Sequence, residues 1–243
     1  MNTPQIIFED EDLLVINKPA GLTVNRSDTT REETTLQDFV TKKINFSKNS
    51  SEGDFQSRGG IVHRLDKETS GVILVAKNKA AFDFLQKQFK ERIVEKEYIA
   101  LVHGKLFPEK GSIKVPVGRL PWNRKRFGVL AGGREAETGY EVITNYQLPM
   151  TNENVSLLRL RPKTGRTHQI RVHLKYFGHP IFSDNLYAGR KISRNDRKLL
   201  NRVFLHAQEI SFIHPKTKKR ISLKADLPAE LKMIIPQNLI KMI

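Results

Sequence analysis

The chain has 243 residues and carries 42 lysines and arginines against 26 aspartates and glutamates, a formal net charge of +16 at pH 7. Because this excess is spread along the chain, it favours a polyanionic partner, with nucleic acid ahead of a membrane surface. The absence of cysteine excludes disulfides, thiolate metal sites and a cysteine nucleophile. No apolar run reaches the roughly 18 residues of a membrane span, so we expect a soluble, cytoplasmic protein.

The first part of the chain predicts short strands and one helix. Residues 6–8 and 13–16 are β-prone runs around an acidic turn, which indicates a hairpin. Thr34 or Thr35 can cap a helix that follows. Residues 45–58 are polar and aperiodic, so we expect a mobile surface loop there.

A buried strand and a helix are predicted next. Residues 71–77 form an apolar run bounded by glycine and by Asn78, as in a strand covered on both faces. Asn78 is placed to cap a helix that directs Phe82 and Leu85 inward and its lysines outward.

The turn before this strand places a carboxylate among cations. In the string HRLDKETSG, Asp66 stands between Arg64 and Lys67. A cation within about 4–6 Å favours the ionised form of a carboxylate. From the residues alone, an aspartate that merely caps a surface turn is an equal alternative.

Tyr98 leads into the apolar run 99–102, which predicts a strand whose tyrosine is half-buried with its hydroxyl in water. Further on, residues 111–133 interleave basic and aromatic side chains. This pattern favours phosphate contacts with some base stacking, and a basic hairpin with its tryptophan packed inward is the alternative. The residues are Arg119, Arg124, Lys125 and Arg126 around Trp122 and Phe127.

A second dense group of polar residues spans 161–187. A short helix is predicted from about Thr167 to Gly178, with a buried stripe of Ile170, Leu174 and Phe177. On that geometry His168, Arg171 and Lys175 share another face. The three histidines at 168, 173 and 179 lack an i, i+4 pair and have no carboxylate among them before Asp184, so we expect no metal site.

The end of the chain predicts simple elements. Residues 188–198 are interpreted as a basic loop, and residues 204–212 with 220–223 as a closing hairpin. Residues 226–235 predict a small helix.

Several of these segments resemble the motifs of the RluA-type pseudouridine synthases, in the order of that family. They are LLVINKPAGLTV, HRLDKETSG, the K-x-Y-x-A-L pattern at 96–101, and TGRTHQIRVH. The resemblance implies a single α/β (α+β) catalytic domain over residues 1–243, with a mixed, largely antiparallel sheet flanked by helices. The small N-terminal RNA-binding domain of many relatives is expected to be absent.

The resemblance also implies the function. The enzyme would isomerise specific uridines to pseudouridine, in ribosomal RNA before transfer RNA, without a cofactor and as a monomer. Asp66 would be the catalytic residue, Tyr98 would lie against the target uracil, and Arg171 would pair with Asp66. Because the target base must leave its helix, Arg64 would fill the vacated space.

Further residues are implied to contact RNA. Arg166 and His168 would lie near the RNA backbone, and the predicted basic loop adds Arg124, Lys125 and Arg126. One alternative is a non-catalytic RNA-binding or ribosome-assembly factor on the same fold. A nuclease or glycosylase would need a water-activating pair or a metal cluster, which the sequence does not offer.

Overall fold

The structure, a computed structural model, describes residues 3–26, 33–44 and 53–243. Most of the predicted mobile loop, residues 45–52, lies outside these ranges. Among the described residues, no helix combines the length and the apolar character needed to cross a bilayer. The strands are β1 (Gln5–Glu9), β2 (Leu13–Lys18), β3 (Ser70–Ala76), β4 (Glu95–His103), β5 (Lys110–Lys114), β6 (Val117–Leu120), β7 (Asn123–Val129), β8 (Glu137–Gln147), β9 (Asn154–Pro162), β10 (Leu205–Ile213) and β11 (Arg220–Lys224).

The helices are short, and two begin at residues that the sequence identified as caps. They are α1 (Leu36–Lys43), α2 (Asp54–Ser57), α3 (Lys79–Lys90), α4 (Gln169–Tyr176), α5 (Arg190–Asp196), α6 (Ala229–Lys232) and α7 (Gln237–Ile240). Thr35 starts α1 in a reciprocal capping box with Asp38. The side chain of Asn78 accepts from the backbone N–H of Ala81 and starts α3. Both predicted caps are confirmed.

The chain divides into two compact units, and the first comprises Met1–Glu95 and Ala207–Asp226. Its strands run in the order β1-β2-β3-β10, with β11 paired to β10. Every residue of β3 is buried, which confirms the predicted covered strand. Helix α3 directs Phe82 and Leu85 into the apolar core of this unit. The core thus holds the strand that directly follows Asp66.

The second unit comprises Lys96–His206 and Leu227–Ile243. Its strands β4, β9, β8 and β5 are neighbours in that order, and each of these pairs is antiparallel. Strands β6 and β7 form a separate two-stranded hairpin. These pairings confirm the predicted α/β class with a largely antiparallel sheet, while the single catalytic domain over 1–243 stays a prediction.

Some local predictions are wrong. Residues 190–196 form helix α5, where a basic loop was expected. Phe177 is exposed, so the predicted stripe on α4 loses its third member. His168 is the N-cap of α4 in the left-handed region, with φ 57°, and therefore does not share a helical face with Arg171. The small helix expected at 226–235, in contrast, is confirmed as α6, and a second short helix, α7, follows it.

Candidate functional site

The turn that carries Asp66 lies in the first unit and is held against β3. The backbone N–H of Leu74 donates to His63 Nε2 over 3.0 Å, and the N–H of Thr69 donates to the carbonyl of Asp66 over 3.1 Å. Arg64 is exposed and Asp66 is half-buried. The turn therefore presents an arginine and a carboxylate from a constrained backbone.

A buried lysine fixes the other side of this turn. Lys18 is 0% exposed, and its ammonium donates to the carbonyls of Pro19 and Leu22, each over 2.9 Å. It also donates over 3.1 Å to the carbonyl of Lys67, which accepts the N–H of Gly21 as well, over 2.8 Å. The residue directly after Asp66 is thus tied to the loop that follows β2.

Gly71 brings two strands together just beyond the turn. Its φ is 116°, and a Cβ at this position would lie 2.1 Å from the carbonyl oxygen of Ala207 on β10. No side chain fits so close to a backbone oxygen, so only glycine allows this approach.

We expect Lys18→Met to lower the free energy of unfolding by about 3 kcal/mol, because the carbonyls of Pro19 and Leu22 lose the buried ammonium that donates to them and the turn loses its tie to Lys67. Lys90→Met, at an exposed position of α3, is the control and should unfold like the wild type. Denaturant unfolding followed by circular dichroism measures both. A Lys18→Met variant as stable as the control would show that the ammonium does not hold the turn.

Tyr98 lies in the second unit, on β4 opposite Leu160 of β9. It is 8% exposed, so it is more deeply buried than the half-buried tyrosine that the strand pattern alone predicts. A buried ring on a paired strand is held in one orientation, as a stacking surface requires.

Arg171, on α4, forms a buried ion pair that the sequence did not predict. Its Nε donates to Asp184 Oδ2 over 2.7 Å and its Nη2 to Oδ1 over 2.8 Å. The arginine is 5% exposed and Asp184 is 0% exposed. The guanidinium also lies over the ring of Tyr187, 5.0 Å from its centroid. A bidentate pair of this kind holds the guanidinium plane in one direction.

The turn before α4 is organised by Gln169, which the sequence analysis did not single out. Its Oε1 accepts from the Thr164 hydroxyl over 2.7 Å and from the N–H of Arg166 over 3.0 Å. Its Nε2 donates to the carbonyl of Glu137 over 3.0 Å. The half-buried Arg166 in turn donates from Nε to the carbonyl of Glu135 over 3.1 Å.

Tyr187 joins this turn to the hairpin of β6 and β7. Its hydroxyl lies 2.8 Å from His168 Nδ1 and accepts the backbone N–H of Phe127 over 3.1 Å. His168, Arg171 and the hairpin are therefore connected through one side chain. In the sequence, the only sign of this role is that Tyr187 ends the polar segment 161–187.

The hairpin presents its tryptophan outward. Trp122 is 76% exposed, so the alternative with an inward tryptophan is wrong. Arg124 is exposed and Arg126 half-buried, both on β7, the strand that also contains Lys125. Arg119 lies over the ring of Phe127, 5.1 Å from its centroid.

The three histidines considered as metal ligands, at positions 168, 173 and 179, each contact a different residue. His168 is near Tyr187, His173 Nε2 lies 3.1 Å from the carbonyl of Val115, and His179 Nδ1 lies 2.8 Å from the carbonyl of His103. Burial lowers the pKa of His173, which keeps this imidazole neutral.

Within the described ranges, one group has potential metal-binding atoms within 4.8 Å of one another: His103, Glu153 and Asp196. Asp196 Oδ2 lies 2.9 Å from His103 Nε2 and also accepts the N–H of Ser183 over 2.9 Å. These contacts give the Asp196 carboxylate a structural role. It joins the end of α5 to Ser183, in the segment that precedes this helix.

The predicted site residues are thus distributed over both units. Arg64 and Asp66 lie in the first, and the remaining ones lie in the second: Tyr98, Arg124, Lys125, Arg126, Arg166, His168 and Arg171. The pairing expected between Asp66 and Arg171 stays a prediction.

The matches to known proteins agree with one another, and each covers most of the chain. The sequence profile described as RNA pseudouridylate synthase matches residues 12–176. "Ribosomal large subunit pseudouridine synthase D" of Zymomonas mobilis is 34% identical over 97% of this chain and 73% of its own length. "Ribosomal large subunit pseudouridine synthase C" of Pasteurella multocida is 37% identical over 95% of this chain and 67% of its own. The solved "Human RNA Pseudouridylate Synthase Domain Containing 1" has a TM-score of 0.72 and 27% identity, covering 94% of this chain and 86% of its own.

Proposed function

Since this chain belongs to the RNA pseudouridylate synthase family and is an isomerase acting on RNA, we propose that it modifies specific uridines of large-subunit ribosomal RNA. The names of two relatives and the net charge of +16 support this substrate. We also propose the cytoplasm as its location and a monomer as its active form.

We propose Asp66 as the catalytic carboxylate. In the reaction, the bond between ribose C1′ and uracil N1 breaks and a bond between C1′ and C5 forms, while C5 loses a proton and N1 gains one. Substrate and product have the same atoms, so no redox cofactor is needed. Asp66 would either add to the nucleoside or remove a proton from it.

The observation that carries this proposal is the anchored turn around Asp66. His63 and Lys18 hold its two sides, and Arg64 remains exposed two residues before the carboxylate. A base inside an RNA helix must be flipped out before its glycosidic bond can react, at a cost of a few kcal/mol. We propose that Arg64 occupies the space that the base leaves.

Tritium release tests the proposal. Large-subunit ribosomal RNA is transcribed with uridine labelled by tritium at C5, and the purified protein should release the label because C5 loses its hydrogen. Small-subunit ribosomal RNA and transfer RNA are the controls. Release only from transfer RNA would overturn the ribosomal substrate, and tight binding without any release would favour the non-catalytic RNA-binding factor.

We expect Tyr98→Phe and Tyr98→Ala to differ. Phe keeps the ring for stacking, worth about 1–3 kcal/mol per base, and should bind RNA normally while its single-turnover rate falls about 100-fold through loss of proton transfer. Ala should lose affinity as well. Thermal unfolding of both variants shows how far the cavity that Ala leaves in the core destabilises the protein.

A wild-type rate for Tyr98→Phe would remove the hydroxyl from the mechanism and keep the stacking role. Normal RNA affinity of a folded Tyr98→Ala variant would remove the stacking role.

A further inference from the structure

Lys96 is the second residue of β4 and lies two positions before Tyr98. Because side chains alternate along a strand, Lys96 and Tyr98 belong to the same face, about 6.6 Å apart along the chain. Glu97, between them, belongs to the opposite face and pairs with Arg159 and Arg161, each over 2.9 Å. The neighbouring carboxylate is therefore engaged away from Lys96.

The ammonium of Lys96 has no hydrogen-bond or ion-pair partner among residues 3–26, 33–44 and 53–243. The residue is half-buried, and burial lowers the pKa of its ammonium to about 8. A lysine whose head reaches freely into water keeps its ordinary pKa, since only desolvation or a nearby charge shifts it. The lysine is thus a partly desolvated cation without an anion.

An exposed turn passes beside this ammonium. Gly165, in the turn before α4, has no side chain, and a Cβ there would lie 3.9 Å from Lys96 Nζ. The same turn carries Arg166, whose side chain is held by the carbonyl of Glu135. A second cation so close in sequence to Gly165 adds positive potential on the same turn.

We propose that Lys96 binds a backbone phosphate of the RNA, next to the nucleotide whose base contacts Tyr98. This inference rests on the proposed function, which places a uracil against Tyr98. A phosphate supplies the acceptor oxygens that the ammonium lacks and restores the favourable interactions lost on desolvation. The distance from Lys96 to Tyr98 along the strand is comparable with the length of one nucleotide.

The test compares Lys96→Met and Lys96→Arg with Lys105→Met, which removes the same charge at an exposed position after β4. Filter binding to the large-subunit ribosomal RNA transcript is measured over a series of KCl concentrations. Lys96→Met should bind about tenfold more weakly at low salt, and its log–log salt slope should fall by about 0.7–0.9, the value for one phosphate contact. Lys96→Arg should keep the slope.

Two further measurements separate binding from folding and chemistry. The single-turnover rate of Lys96→Met is measured over a series of RNA concentrations, and the concentration needed for half-saturation should change more than the saturated rate. Its thermal unfolding midpoint should be no lower than that of the wild type, because Met replaces an uncompensated cation. If Lys96→Met does not fold, Lys96→Gln takes its place in the same measurements.

An unchanged salt slope for Lys96→Met overturns the phosphate contact. So does a fall equal to that of Lys105→Met, because the effect would then be general charge. A large loss of saturated rate with an unchanged slope would also overturn it and give Lys96 a part in the chemistry. Since the slope needs no pseudouridine formation, a failure of the proposed function is recognised separately by the absence of tritium release from the wild type.

Discussion

We expect Asp66→Asn to release less than about one per cent of the tritium that the wild type releases in a single turnover, a barrier increase of at least ~2.7 kcal/mol. The substitution keeps the shape of the side chain and removes the charge that would add to the nucleoside or take its proton. RNA affinity should stay within a few fold of the wild type, because many basic residues share the binding.

Asp226→Asn is the matched control, since it removes an exposed carboxylate from the same unit. It should have the wild-type rate and affinity. Residual turnover of Asp66→Asn well above one per cent, with an unchanged unfolding midpoint, would remove Asp66 from the centre of the mechanism.

The second large effect is expected for Arg171→Met. Removing one member of a buried ion pair typically costs about 3–5 kcal/mol, because Asp184 would stay buried without its guanidinium. We therefore expect a clear fall in the unfolding midpoint together with a loss of turnover. The instability alone would not show a role in the reaction.

A double variant separates these two roles. Arg171→Met with Asp184→Leu removes both charges and should recover most of the stability. If Arg171 acts in the reaction, the recovered protein still has no activity. Recovery of the wild-type tritium release would mean that Arg171 serves only to compensate Asp184.

The sequence was sufficient to predict the elements that depend on interactions between residues close together in the chain. The caps at Thr35 and Asn78 and the covered strand β3 follow from side-chain chemistry and apolar runs. Helix α5 was missed because only Ser193 and Asp196 of its residues are buried. A helix without an apolar stripe has no periodicity to detect.

The partners within the candidate site depend on tertiary contacts, which residue spacing does not show. Asp184 is thirteen positions after Arg171, and no local pattern links the two before the chain has folded. Lys18 lies in the LLVINKPAGLTV motif, and nothing in its local sequence shows that its ammonium reaches the carbonyl of Lys67. The motifs therefore indicated the candidate residues, and the structure showed which side chains hold those residues in place.

Gly71 has a consequence for mutational scanning. Because any side chain there would meet the Ala207 carbonyl oxygen, every substitution at position 71 should abolish activity through loss of folded protein. A scan that selects only for RNA modification would therefore rank Gly71 beside Asp66, five residues away. Measuring the amount of folded protein in the same library would separate them, with Asp66 variants abundant and inactive and Gly71 variants depleted.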